Sequence, residues 1–195
     1  MDTPTAGDRY LSGMEIRRIY MDRVDGWRYN VINRNILDLF PCMQHKVRLL
    51  QQYSDDNKLG FSLYDGLRSF EDQEYFYSLG RDKDGNVVSQ KDVVTNVKPG
   101  MSRHNYGIAA DMVRKIGDRW CWDYDSPAWK ELAEYGKSID LTCGYFWQSP
   151  FDPPHFQLKT ALTIEVMKKL YEYGGLTLVR KNLWYNTDPN KVILI

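Results

Sequence analysis

An α+β fold, with a small and mostly antiparallel sheet flanked by helices, follows from three observations on this sequence. Apolar residues recur at helical spacing early in the chain, as at Val47, Leu50 and Tyr53. Short strand-like runs cluster around its middle and later parts, as at 107–113, 145–147 and 155–158. Hydrophobic residues make up 43% of the 195 and charged residues 27%, enough to bury one core and ordinary for a globular chain.

Taken in order, residues 1–35 are polar and weakly patterned, with Ile16, Ile19 and Tyr20 marking a short helix before the Asp25-Gly26 turn. They are expected to form an extension packed on a single domain of residues 36–195. A helix spans Met43 to Tyr53, and Phe61 to Tyr64 is a short strand. Ser69 followed by Asp72 resembles a capping box, opening a helix through Phe76 and Leu79 that stops at Gly80. Residues 82–100 form a long polar loop with turns at Asp84-Gly85 and Pro99-Gly100. Its DKDGN segment opens a stretch with Val87 and Val93 where a calcium loop needs Gly and Glu, and reads as a hairpin turn.

Gly107 to Val113 is the next strand, with Asp111 on the face opposite Ile108, Ala110 and Met112. Ser126-Pro127 opens a helix whose buried stripe is Trp129, Leu132, Tyr135 and Ile139. Tyr145-Phe146-Trp147 and His155 to Leu158 are two further strands, and a last helix from Ile164 to Tyr173 ends at Gly174-Gly175. Trp120, Trp122, Trp129, Tyr145, Phe146 and Trp147 are expected mainly in the core.

Charge narrows the partners. Lys+Arg and Asp+Glu balance at 26 each, with no basic stripe, so a nucleic-acid partner is not expected. No apolar run approaches the ~20 residues of a membrane span, so no membrane insertion is expected. The opening residues MDTPTAGDRY do not have the form of a secretory signal, which suggests synthesis in the cytoplasm. Cys42, Cys121 and Cys143 are odd in number and lack CxxC spacing; free buried thiols are the plain reading, a thiolate zinc site or a disulfide the alternatives.

Two of the three histidines sit in dense polar clusters, SRHNYGIAAD at 102–111 and FDPPHF at 151–156. A catalytic zinc takes three ligands from histidine and carboxylate and keeps one position open for water, and His104, Asp111 and His155 supply that set. Asp111 projects from an apolar strand, where a bound cation offsets the cost of burying its charge. Singly, each has a plainer reading: an Asp paired with an arginine, a hydrogen-bonded histidine. Pro153 and Pro154 hold Asp152 and His155 apart on a stiff extended strut. His155 can then bind the metal while Asp152 takes a proton from the activated water, or Asp152 merely starts a proline turn.

Together the clusters resemble the zinc D,D-carboxypeptidases and L-alanyl-D-glutamate endopeptidases of peptidoglycan, whose core is shared with the Hedgehog signalling domain. The pattern SxHxxGxAxD is complete as Ser102, His104, Gly107, Ala109 and Asp111, and Asp152 to His155 forms its later acidic and Pro-His element. GLRSFEDQEYFYSLGR at 66–81 resembles the family's upstream arginine segment. The resemblance spans roughly residues 36–175. It implies Zn2+ held by His104, Asp111 and His155, with Asp152 as general base. Arg68 would steady the substrate carbonyl or its oxyanion, or else stand exposed at a helix start. Ser102 and Gln73 would bind substrate or support the ligands.

Tyr64-Asp65-Gly66-Leu67 departs from the family's usual Ser-Gly-Tyr before the arginine, and the loop at 82–100 is longer than in compact relatives. The base is Asp with His-Phe following, where D-Ala-D-Ala enzymes commonly have Glu with His-Trp. That form resembles the phage endolysin branch, which cuts the L-Ala–D-Glu bond of the stem peptide. The expectation is therefore a monomeric zinc endopeptidase, stored in a host cytoplasm and acting on the bacterial wall after release. A D-alanyl-D-alanine carboxypeptidase is the alternative within the family, and a non-catalytic zinc-containing binding or virion domain the alternative outside catalysis.

Overall fold

In the computed structural model the described residues run from Ile32 to Tyr185, so the helix expected near Ile16 and the Asp25-Gly26 turn lie outside them. The described residues divide into two compact units, residues 69–99 and residues 32–68 with 100–185. None of their helices is long and apolar enough to cross a membrane.

The larger unit holds five strands: β1 (Phe61–Asp65), β2 (Ala109–Ile116), β3 (Arg119–Cys121), β4 (Leu141–Cys143) and β5 (His155–Leu158). They run β1-β2-β5-β4, with β3 paired to β2, and every pairing among the described residues is antiparallel. The fold is α+β, as the sequence predicts. β2 is the spine: residues 109–113 are buried on both faces, so Asp111 stands inside the protein. The strand begins at Ala109 rather than Gly107, because Gly107 adopts φ 70 to close the preceding 3-10 turn.

Four α-helices complete the described residues: α1 (Pro41–Asp56), α2 (Phe70–Ser78), α3 (Pro127–Ser138) and α4 (Ile164–Tyr185). α1 packs on β1 and α3. Its buried stripe is Met43, Val47, Leu50 and Ser54; Tyr53 instead lies half-buried, stacked on Tyr135 at 3.9 Å between ring centres. Ser54 is tolerated in the core because its hydroxyl accepts the Phe61 N–H at 2.7 Å.

α3 buries Trp129, Leu132, Ala133 and Gly136, one clean helical stripe, while Tyr135 and Ile139 are only half-buried. Pro127 occupies its first turn as expected, but the Ser126 hydroxyl makes no capping bond. Trp129 meets Phe61 edge-on at 4.8 Å, joining α3 to the sheet. α4 breaks at Gly174 and Gly175 as expected, then resumes to Tyr185 and buries Val179 and Leu183, a segment not foreseen in the sequence.

Tyr145-Phe146-Trp147 is not a strand. Leu141–Cys143 pairs with β5 instead, and Gly144–Phe146 is a 3-10 turn that bends the chain where Gly144 meets Asp152. Of the six aromatic residues expected in the core, only Trp129 is fully buried. Trp120 and Trp122 lie on or just after the short strand β3 and pack edge-on against Tyr64, while Phe146 is 44% exposed. The three cysteines are free thiols, but only Cys143 is buried, and burial pushes its thiol up to about 12.

In the unit of residues 69–99, Ser69 caps α2 by accepting the Asp72 N–H at 2.9 Å and donating to its carboxylate at 2.8 Å. The DKDGN segment is the expected turn: Asp82 accepts the Asp84 and Asn86 amides at 2.9 Å each, and Arg81 bridges to Val87.

Candidate metal centre

His104 lies in a 3-10 turn, Arg103–Tyr106, that the sequence caps tightly. The Ser102 hydroxyl accepts the His104 N–H at 3.3 Å, and Asn105 accepts the Gly100 N–H at 3.0 Å while donating to the Arg68 carbonyl at 3.0 Å. Its ring Nδ1 faces the Gly66 carbonyl at 2.8 Å. A carbonyl only accepts, so Nδ1 carries the proton and Nε2 presents its lone pair.

His155 opens β5, with Asp111 directly opposite it on β2 and Asp65 opposite Asp111 on β1. The register places Asp65 there by a bulge: Leu63 pairs with Met112 and Asp65 with Asp111, leaving Tyr64 as the extra residue. The His155 ring is turned the other way from that of His104. Its Nε2 donates to Gln157 Oε1 at 3.0 Å, leaving the Nδ1 lone pair toward Asp111.

Three donor atoms thereby converge. His104 Nε2 and His155 Nδ1 are 3.2 Å apart, and Asp111 Oδ1 is 3.4 Å from each. Nitrogen and oxygen ligands at roughly 2.0–2.1 Å from a tetrahedral zinc stand about 3.3 Å from one another. The donor set and its spacing fit such an ion. All three side chains are buried. Burial alone would raise the Asp111 carboxyl, but the neighbouring histidines, His104 foremost, outweigh it and hold the group well below its ordinary value. For His155, burial pulls down; in the doubly protonated ring hydrogen bonding to Asp111 and its charge prevail, helped by Asp152, and the imidazole is raised. The three groups could share one cation.

Asp152, half-buried, opens a turn through Pro153 and Pro154 and not the extended strut expected there, because a bond across the four residues closes it. Its backbone carbonyl accepts the His155 N–H at 3.1 Å, and its charge is felt at the His155 ring. Arg68 is brought alongside through the main chain, its N–H donating to the His104 carbonyl at 3.1 Å. Its guanidinium is buried and ion-paired with Asp65 through Nε and Nη2. It is therefore no exposed arginine at a helix start.

Ser102 supports His104 through the turn rather than through the ring. Gln73 belongs to the unit of residues 69–99, where it is buried and donates to the Val97 carbonyl at 2.7 Å. Three contributors went unread in the sequence: Gly66, Gln157 and Asp65. Gln157 carried a signal, since it lies two residues from His155 and so on the same strand face. Asp65 carried a weaker one, three residues before Arg68.

A family profile described as D-alanyl-D-alanine carboxypeptidase matches residues 95–158, a span that holds His104, Asp111, Asp152 and His155 together. The peptidoglycan L-alanyl-D-glutamate endopeptidase CwlK of Bacillus subtilis is 30% identical over 129 residues, covering 62% of this chain and 74% of that protein. Among solved structures, the Serratia marcescens L-Ala D-Glu endopeptidase ChiX aligns with a TM-score of 0.47 at 23% identity, over 71% of this chain and 94% of its own.

Proposed function

Because this chain belongs to the family of zinc D,D-carboxypeptidases and L-alanyl-D-glutamate endopeptidases, we propose that it is a zinc-dependent endopeptidase that hydrolyses the L-Ala–D-Glu bond of the peptidoglycan stem peptide. One observation carries the reading: three buried donor atoms, His104 Nε2, Asp111 Oδ1 and His155 Nδ1, in a triangle of 3.2–3.4 Å, with the carboxylate-bearing Asp152 beside them. His104, Asp111 and His155 would hold the zinc ion, which would supply Lewis acidity to a water and to the scissile carbonyl. Asp152 accepts the proton as the water attacks and delivers it to the departing amine. Arg68, its guanidinium fixed by Asp65, steadies the charge that develops on the carbonyl oxygen. Ser102 holds the turn that presents His104.

The choice of bond is supported by the likeness to the Bacillus subtilis endopeptidase and by the Asp152 to His155-Phe156 form of the later motif. That form also favours a phage-type endolysin, and a monomer made in a host cytoplasm and working on its wall is part of the same proposal. The carboxypeptidase reading is favoured by the description of the matching family profile. Digestion of purified murein by the zinc-loaded protein separates the readings. Mass spectrometry is expected to find new D-Glu N-termini. Release of D-alanine alone would replace the endopeptidase by the carboxypeptidase, and an unaltered digest would leave only a zinc-binding domain.

A further inference from the structure

We infer that Gly144 is a positioning residue for the proposed base, its missing side chain setting where Asp152 stands. A Cβ at this position would lie 2.3 Å from the Asp152 carbonyl oxygen and 3.1 Å from both its carbonyl carbon and its Cβ. Carbon and oxygen ordinarily approach no closer than about 3.3 Å, so any side chain would displace this segment by about 1 Å. Gly144 is not in the left-handed region of backbone space. The position therefore uses the empty volume of glycine, not its conformational freedom.

The surrounding bonds direct that displacement onto Asp152. The Gly144 carbonyl accepts the Asp152 N–H at 3.2 Å, lacing the two backbones together. Beyond it the Pro153-Pro154 turn is anchored: the Pro154 carbonyl accepts the Met112 N–H at 2.9 Å, and β5 is held by β2 and β4 on its two sides. The Asp152 carbonyl also accepts the His155 N–H at 3.1 Å, but the ladders on both sides of β5 keep His155 in register with Asp111, and Asp152 and Pro153 take up the movement. The proton acceptor shifts while the ligand triangle remains.

This inference rests on Asp152 as the base, and a double-mutant cycle tests the two separately. Gly144→Ala, Asp152→Ala and the double variant are compared with the parent as full-length, zinc-loaded proteins digesting purified murein. Zinc content, thermal midpoint, kcat and KM are measured on the same preparations. Gly144→Ala is expected to keep its zinc and midpoint, to leave KM nearly unchanged and to lose about 10²-fold in kcat, the scale of a 1 Å misplacement. In the Asp152→Ala background the same change is expected to cost no more than about twofold, because the group it moves is gone. An equal loss in both backgrounds would overturn the role of Gly144, as would full activity of Gly144→Ala or loss of its zinc or its folded state. Full activity of Asp152→Ala would instead remove the base on which the inference stands.

Discussion

The two histidines of the centre offer opposite ring nitrogens, and in each case one acceptor on the far side of the ring decides which. For His104 it is the Gly66 carbonyl at 2.8 Å, a main-chain group that side-chain substitution leaves in place; for His155 it is the Gln157 amide at 3.0 Å. Gln157→Leu removes that acceptor and frees the imidazole to rotate or change tautomer. Zinc affinity, read by competition with a chromogenic chelator, is expected to fall about 10–100-fold. Gln157→Glu keeps an acceptor and should recover most of the loss; an undiminished affinity in the leucine variant would show that other contacts orient the ring. The ligands were legible in sequence because histidine is scarce here and His104, Asp111 and His155 stand in polar clusters that composition does not otherwise explain. Their supports were not. Gly66 acts through a carbonyl, which every residue owns, and Asp65 reaches its place opposite Asp111 through a bulge that local pattern does not announce.

Among the elements, helices were read more truly than the connections. The α3 stripe was recognised at Trp129 and Leu132 but assigned onward to Tyr135 and Ile139, because bulk suggests burial. The helix turns Gly136 inward instead, against Phe156, where only a hydrogen fits. A Cβ there would stand 2.7 Å and 2.9 Å from two Phe156 ring carbons and 3.0 Å from the Cys143 sulfur. Gly136→Ala gains about 1 kcal/mol of helix propensity, while overpacking of a tight core costs about 1–3 kcal/mol. With three contacts violated the upper part of that range applies, and denaturant titration is expected to show a net loss of about 1–2 kcal/mol. A variant as stable as the parent would mean the Phe156 ring yields freely. Tyr145 to Trp147 was misread because an aromatic run has strand composition; what bends it into a turn is the close approach of Gly144 to Asp152, a long-range contact that local pattern does not encode.

At the scale of the whole molecule, the centre joins β2 and β5 with the 3-10 turn at Arg103–Tyr106, so a bound ion ties together parts that are distant in sequence. Zinc that binds the folded chain alone stabilises it by mass action, by about 4 kcal/mol when free metal is 1,000 times its dissociation constant. For a chain of this size that corresponds to on the order of 10 °C in midpoint. Thermal scans are expected to show a midpoint that climbs with added zinc and drops on chelation; a midpoint indifferent to the metal would sink the site as a folded-state binder. The row formed by Asp65, Asp111 and His155 has a further consequence. The chemistry is written across the strands, and the sheet acts as its index. Residues gained or lost between strands, away from Arg68, the turn of His104 and the segment 144–154, leave that row unchanged. A frame error of a single residue within β5 would set Pro154 or Phe156 opposite Asp111 and erase the site at once.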